Sequence, residues 1–204
     1  MITDDFFFAS KQYHKLISES YSELKEFLGV NQISYAEVDS KKNVFFAFDS
    51  IKWAEVFVDK GYFCYNPITV SPDNMHAGFS LQGNVLDVEK IDNEILEDAI
   101  IHFKWYNNFV FAHKYKQGGY FTLGFGTDKN NFEVFNKIFN CEQKVKKLIY
   151  KTHARLHAMC KEHLNTHRVH LLDFKNPGLV DSQKGIVWHD NVIGDQQIKL
   201  LDTL

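Results

Sequence analysis

The sequence predicts an α+β chain, an α/β/α sandwich built on a central antiparallel sheet. Three observations carry this expectation. Two pairs of β-rich runs are each joined by a short polar or glycine segment, the mark of hairpins, and hairpins exclude an all-parallel sheet. Stretches with apolar residues at helical spacing stand before, between and after those pairs. With 204 residues, 45% of them hydrophobic, the chain is long enough for one domain with a buried core and a tail.

The elements follow in order. Tyr13, Leu16, Ile17, Ser20, Tyr21, Leu24, Phe27 and Leu28 recur on one helical face and Gly29 follows, so a helix is expected over 8–28 with a glycine stop. Ile33–Val38 and Val44–Phe48 flank the polar segment 39–43 and read as a hairpin. Ser50 is a suitable N-cap for a short helix over 51–60, which Gly61 ends. Pro67, Pro72, Gly78 and Gly83 mark a loop with room for one short strand. Asp92 caps an expected helix over 93–106. Phe109–Tyr115 and Tyr120–Thr127 flank Gln117-Gly118-Gly119, a second hairpin, and a long helix is expected over 131–166. Residues 171–204 have weak periodicity and contain Pro177-Gly178, which divides the chain into a sensor-sized domain at 1–170 and an extension at 171–204. Packing these elements economically gives a sandwich of the PAS or GAF kind. Such a fold can hold a small, mostly apolar ligand between the sheet and one helical layer.

Charge excludes some partners. Net charge is −3, from 23 basic and 26 acidic residues, so no global field favours nucleic acid or anionic lipid. The local run Lys144, Lys146, Lys147, Lys151 and Arg155 reads as a solvated helix face. Cys64, Cys141 and Cys160 form an odd, widely spaced set, which points to a reducing compartment and free, mostly buried thiols. The acidic start, Met1 to Phe8, is unlike a signal peptide, and no apolar run approaches the ~20 residues of a membrane span. A cytoplasmic location is expected.

The informative segment is Trp53 to Pro67, which has the pattern W-x3-F-x4-Y-x3-N-P. Trp53 and Phe57 are four apart and share a helix face, and Asn66-Pro67 fixes an extended turn. An indole N–H, a second ring and an amide side chain can thus converge on one small volume. Taken alone, a Trp and Phe at this spacing are more often plain core, and an Asn before proline is usually a turn residue.

This segment resembles the LuxR-type autoinducer-binding family of quorum-sensing regulators, which has a Trp, an aromatic four residues on, a further Tyr and then Asp-Pro at the same spacing. The order of hairpin, loop, helix, glycine-containing hairpin and long helix is similar too, over residues 10–165. The resemblance implies that Trp53 donates to the lactone carbonyl of an acyl-homoserine lactone, that Asn66 meets the ligand amide, and that Phe57 lines the pocket. It implies that Thr122 bonds the acyl carbonyl. Tyr35 and Tyr62 complete the candidate ligand-binding set. An enclosed apolar space beside Trp53, faced by Asn66 and Thr122, is expected. Lys60 is the one awkward cation in a segment that otherwise suits a neutral ligand. Three positions depart from the family: Asn66 replaces Asp, Asp49 stands where a Tyr is common, and Leu81 stands where a second Trp is common, with Phe79 close by. The family continues into a helix-turn-helix. Here Leu179–Trp188 and Gly194–Leu201 faintly resemble its opening, and no recognition helix follows in the sequence, so no autonomous DNA binding is expected.

His153, His157, Cys160, His163, His167 and His170 fall near one helix face at metal-ligand spacing. With Leu156 and Leu164 among them, the face reads as a partly buried stripe or a dimer seam rather than a metal site, and the long helix is the expected seam of a homodimer or of a heterodimer with a related regulator. Neither a G-x-S-x-G, an H-E-x-x-H nor a P-loop occurs, and no nucleophile stands at a recognisable spacing from a base. The chain therefore reads as a small-molecule-sensing regulator with no cofactor and no catalytic set. The alternative is a ligand-free interaction module of the same fold, acting by dimerisation.

Overall fold

A computed structural model describes residues 2–62, 77–82, 94–166 and 169–170. Helix α1 (Ile2–Ser20) and helix α2 (Ser22–Leu28) lead into strands β1 (Val30–Val38) and β2 (Asn43–Phe48), followed by helix α3 (Ile51–Asp59). Strand β3 (Gly78–Gln82), helix α4 (Glu94–Ile101), strands β4 (Tyr106–Lys114) and β5 (Tyr120–Thr127), helices α5 (Glu133–Asn140) and α6 (Glu142–Thr166), and the short strand β6 (Val169–His170) complete the order. The strands form one sheet in the order β3-β4-β5-β1-β2-β6, and every neighbouring pair is antiparallel. The expected antiparallel sandwich is the observed fold.

Alternation along the strands builds two cores. Ile33, Tyr35, Phe45, Phe109, Phe111, Phe121, Leu123 and Phe125 point to one face, where Ile17, Leu24, Leu28, Val134, Ile138, Val145, Ile149 and Leu156 cover them from α1, α2, α5 and α6. Ala36, Val38, Val44, Phe46, Phe48 and Tyr120 point to the other, under Trp53, Ala54 and Phe57 of α3 and Ala99 of α4. The first hairpin turns on Asp39, whose carboxylate accepts from the backbone N–H groups of Lys41 and Asn43, both at 2.8 Å. The second turns on Gly118 and Gly119. At Gly119, with φ +87°, an added Cβ would stand 2.4 Å from the carbonyl oxygen of Val38, so only glycine fits.

Two strands start three residues early, β1 at Val30 and β4 at Tyr106, and three expected helices differ in extent. The first helix begins at Ile2 and breaks at Tyr21 (φ −109°, ψ 14°), where Ser20 Oγ donates back to the Ile17 carbonyl at 2.6 Å. The long helix breaks at Cys141 (φ −124°, ψ 31°) into α5 and α6. The helix expected over 93–106 stops at Ile101, because Lys104 takes φ +59° and the Trp105 N–H closes onto the Ala99 carbonyl at 2.9 Å. Among the described residues Cys160 is buried and Cys141 is exposed, both free, and Cys64 lies outside them. The division near 171 and the extension at 171–204, with its faint helix-turn-helix likeness, lie outside the described residues. Among the described residues no helix is long and apolar enough to cross a membrane.

Candidate ligand-binding face

On the face of the sheet that α3 covers, small side chains line part of β1, β5 and β4. Ala36 pairs with Thr122, which pairs in turn with Ala112, and the next row runs from Ser34 to Gly124. Gly126 continues this side of β5, and an added Cβ there would meet Trp105 Cβ at 3.3 Å. A floor of Ala, Ser, Thr and Gly leaves depth above the sheet for large groups from elsewhere.

Aromatic rings from three segments take up that depth. Ser50 caps α3, accepting the Trp53 N–H at 3.2 Å, and so sets the rotation that turns Trp53 and Phe57 onto the sheet. The Trp53 ring centroid lies 5.0 Å from those of Phe103 and Trp105, and 6.2 and 6.3 Å from Tyr62 and Phe57. Phe57 packs in turn on Phe48 at 4.9 Å and on Phe46 at 5.9 Å. These separations are those of tilted and edge-to-face ring pairs.

A polar clasp closes one end. Tyr62 Oη donates to Asp98 Oδ2 at 2.7 Å, and Lys60 Nζ reaches the same oxygen at 2.7 Å and Glu94 Oε1 at 3.1 Å. Burial works against ionisation of Asp98, but the bonds from Lys60 and Tyr62 outweigh it and hold its carboxyl below the usual range. The same carboxylates hold Lys60 charged, its ammonium raised above the ordinary lysine range by its bonds to Asp98 and Glu94. The awkward cation is thereby tied to α4.

Of the expected site residues, Trp53, Phe57, Tyr62 and Thr122 come to this one face. Asn66 lies outside the described residues. Tyr35 corrects the expectation: strand alternation sends it to the opposite face, where its hydroxyl donates to Glu37 Oε2 at 2.5 Å. Phe79 also sits on that far side, 5.0 Å from Phe111, and so does not stand in for a second Trp beside Trp53. Asp49 is used structurally, accepting from the Tyr21 hydroxyl and from the Ile33 N–H at 3.1 Å. Phe103 and Trp105 were missed, because an apparent helical period carried straight through them.

With this geometry in place, the comparison with solved structures is informative about architecture. Escherichia coli SdiA matches with a TM-score of 0.52 at 13% identity, over 72% of this chain and 63% of that one. SdiA in complex with octanoyl-rac-glycerol matches with a TM-score of 0.51 at 13% identity, over 76% and 67%. The chain carries the fold of LuxR-type autoinducer-binding domains. The N-acylhomoserine lactone dependent LuxR family transcription factor CepR2 from Burkholderia cenocepacia also aligns, with a TM-score of 0.46 at 12% identity, over 74% of this chain and 97% of that one. No protein-family model and no curated protein sequence matches the chain.

On the far side of this LuxR-type sheet lies a second polar constellation. The carboxylate of Glu37, only 4% exposed, accepts from Tyr35 at 2.5 Å, from Tyr115 at 3.1 Å and from His157 Nδ1 at 2.6 Å, and it holds the Cys160 thiol as well. Burial, reinforced by Glu37, pushes the Cys160 thiol and the Tyr35 phenol well above their ordinary ranges. His153 stacks flat on Phe121 with centroids 3.8 Å apart, and its Nδ1 lies 2.9 Å from the Tyr35 hydroxyl. That hydroxyl donates to Glu37, so His153 donates to it from Nδ1, and burial favours the neutral ring. Of the stripe expected to be a dimer seam, His153, Leu156, His157 and Cys160 are directed into the chain's own core, Leu156 and Cys160 fully buried, while the side chains of Leu164 and His167 lie outside the described residues. Among the described residues, no group of three or more His, Cys, Asp or Glu is placed to hold a metal ion. The lysine run is internally engaged too: Lys144 lies over the Phe27 ring at 3.8 Å, Lys146 meets Glu142 at 2.5 Å, and Lys151 and Arg155 meet Glu23.

A pH dependence follows from His153. Burial, assisted by His157 and His113, lowers its pKa from 6.5 to about 4. Below the unfolded value the unfolded chain binds a proton that the folded chain refuses. Stability is therefore complete above pH 6.5 and falls as the pH drops toward 4. Partial exposure of the ring to solvent screening trims the loss to roughly 1–2 kcal/mol. Thermal melts between pH 4.5 and 7.5 should show this slope, flatter in His153→Phe, which keeps the ring stack; equal slopes would reject the assignment.

Proposed function

We propose that this chain is the ligand-sensing domain of a regulatory protein, taking a small neutral molecule with an apolar chain and a compact polar head on the Trp53 face. The observation that carries the reading is the aromatic cage of Trp53, Phe57, Tyr62, Phe103 and Trp105 over a floor of Ala36, Thr122, Ala112 and Gly124. Apolar walls with few polar groups suit an acyl chain, and the tethering of Lys60 to Asp98 leaves no free cation on the described part of this face to call for an anion. SdiA, with the same fold, has been seen with octanoyl-rac-glycerol, which supports an acyl-homoserine lactone or another small acyl or amide ligand here. Trp53 and Thr122 supply a donor and a hydroxyl to the head group, Phe57 and Tyr62 form the wall, and Asn66 meets the ligand amide. The role is sensing rather than catalysis, in the cytoplasm. The chain acts by pairing with a second copy or a related regulator.

Differential scanning fluorimetry with N-octanoyl homoserine lactone and octanoyl-rac-glycerol tests the reading. At a hundredfold excess over Kd, a ligand stabilises by about 2.7 kcal/mol. For a chain of this size that is a rise of roughly 5–10 °C. Stabilisation by neither compound, with ATP or heparin raising the melting point instead, would reject it. No response to any of them would favour a ligand-free interaction module of the same fold. The rings of this face already lie at packing distance of one another, with Phe48 and Phe57 at 4.9 Å, which is the observation that speaks for that second reading.

A further inference from the structure

We propose that the indole N–H of Trp105 is a second hydrogen-bond donor to the ligand, so that the head group must present it with an uncharged oxygen acceptor. The inference rests on the reading of this face as a ligand site. Trp105 is 7% exposed, and its Nε1 is buried without an acceptor among the described residues. Buried polar groups almost always find a partner, and an indole N–H can only donate. The two other orphaned buried atoms among the described residues, Asn31 Oδ1 and Gln32 Oε1, are acceptors near the bulged start of β1, away from this cage. Of these three residues Trp105 alone belongs to the aromatic cage, its ring centroid 5.0 Å from that of Trp53.

The placement of Trp105 is built rather than incidental. Lys104 adopts a left-handed turn at φ +59°, the Trp105 backbone N–H closes onto the Ala99 carbonyl at 2.9 Å, and Asn108 Nδ2 donates to the Trp105 carbonyl at 3.1 Å. Gly126 clears the space below the ring: a Cβ there would meet Trp105 Cγ at 3.4 Å. Backbone and side chain are thus fixed from both ends while the N–H meets no acceptor among the described residues.

The charges around the cage define the ligand class. Asp98 already accepts from Tyr62 and Lys60, and Lys60 is held by Asp98 and Glu94. What complements an unused donor in such a wall is an ester, lactone or amide carbonyl, not a carboxylate or phosphate.

The test uses the full chain with octanoyl-rac-glycerol and N-octanoyl homoserine lactone as probes. Trp105→Phe keeps an aromatic wall and removes only the N–H and one ring. Isothermal titration should show about 5- to 20-fold weaker binding of the variant, the worth of one buried hydrogen bond. Independently of any variant, the chain has 3 tryptophans and so 3 indole signals in a ¹⁵N–¹H spectrum. The Trp105 indole proton should move downfield when either probe binds. If the wild-type chain binds a probe while the Trp105 signal stays in place, and Trp105→Phe binds as tightly, the donor role is overturned and the ligand face stands. If the wild-type chain binds neither probe, the ligand reading itself fails and this inference falls with it.

Discussion

Glu37→Ala should destabilise the chain by about 3–5 kcal/mol, the cost of breaking a buried, charge-assisted network. The carboxylate is the shared acceptor for Tyr35, Tyr115, His157 and Cys160. Its removal leaves these donors facing one another in a buried space beneath α6, where no water-sized polar replacement is supplied by the substitution. The effect reaches beyond local bonds because the four donors come from β1, the second hairpin and α6, so the carboxylate fastens the long helix to the sheet. Glu37→Gln keeps one carbonyl oxygen and should lose less. For a chain of this length each kcal/mol moves the melting point by about 2–4 °C, so the alanine variant should melt roughly 10 °C lower. Urea denaturation that gave a loss below 1 kcal/mol would show that the network is not a fastening.

The fold was legible because hairpin turns and strand alternation are local signals. Asp39 to Asn43 and Gln117 to Gly119 announce their turns in residue types that the backbone there requires. The helix breaks were not legible, for a physical reason. Ile17, Tyr21, Leu24 and Leu28 keep a 4-3-4 spacing through the break at Tyr21, and Ile138 and Val145 stand one heptad apart across the break at Cys141. A break that preserves the phase of the apolar face leaves no trace in periodicity. The site was half legible. Trp53 and Phe57 share a face by simple arithmetic, but Tyr35 needed its strand phase fixed against Phe45 and Phe121 before its face could be known. Phe103 and Trp105 reach the cage only because α4 ends early at a left-handed Lys104, and a residue with a side chain at positive φ has no reliable sequence signature. His153, His157 and Cys160 were recognised as one face, yet what they meet is a glutamate on a strand more than a hundred residues earlier. No pattern within one helix could supply that.

Trp53→Ala should cost about 3–5 kcal/mol, as large aromatic truncations in cores do. The indole is 3% exposed and touches the rings of Phe57, Tyr62, Phe103 and Trp105, so its removal opens a space that four neighbours from different segments cannot jointly close. Trp53→Phe fills part of that space and should lose roughly half as much, while deleting the donor assigned to the head group. Stability and ligand affinity therefore separate: the alanine variant loses both, and the phenylalanine variant keeps most of its stability and loses affinity. The two cores lie on opposite faces of the sheet, so the mild substitutions Trp53→Phe and Glu37→Gln have no shared contact. Their costs should add to within about 0.5 kcal/mol. A coupling of 1 kcal/mol or more in that double-mutant cycle would mean that the sheet transmits strain between the ligand face and the α6 face. In a sensor, that coupling would be the first sign of how occupancy on one side is felt on the other.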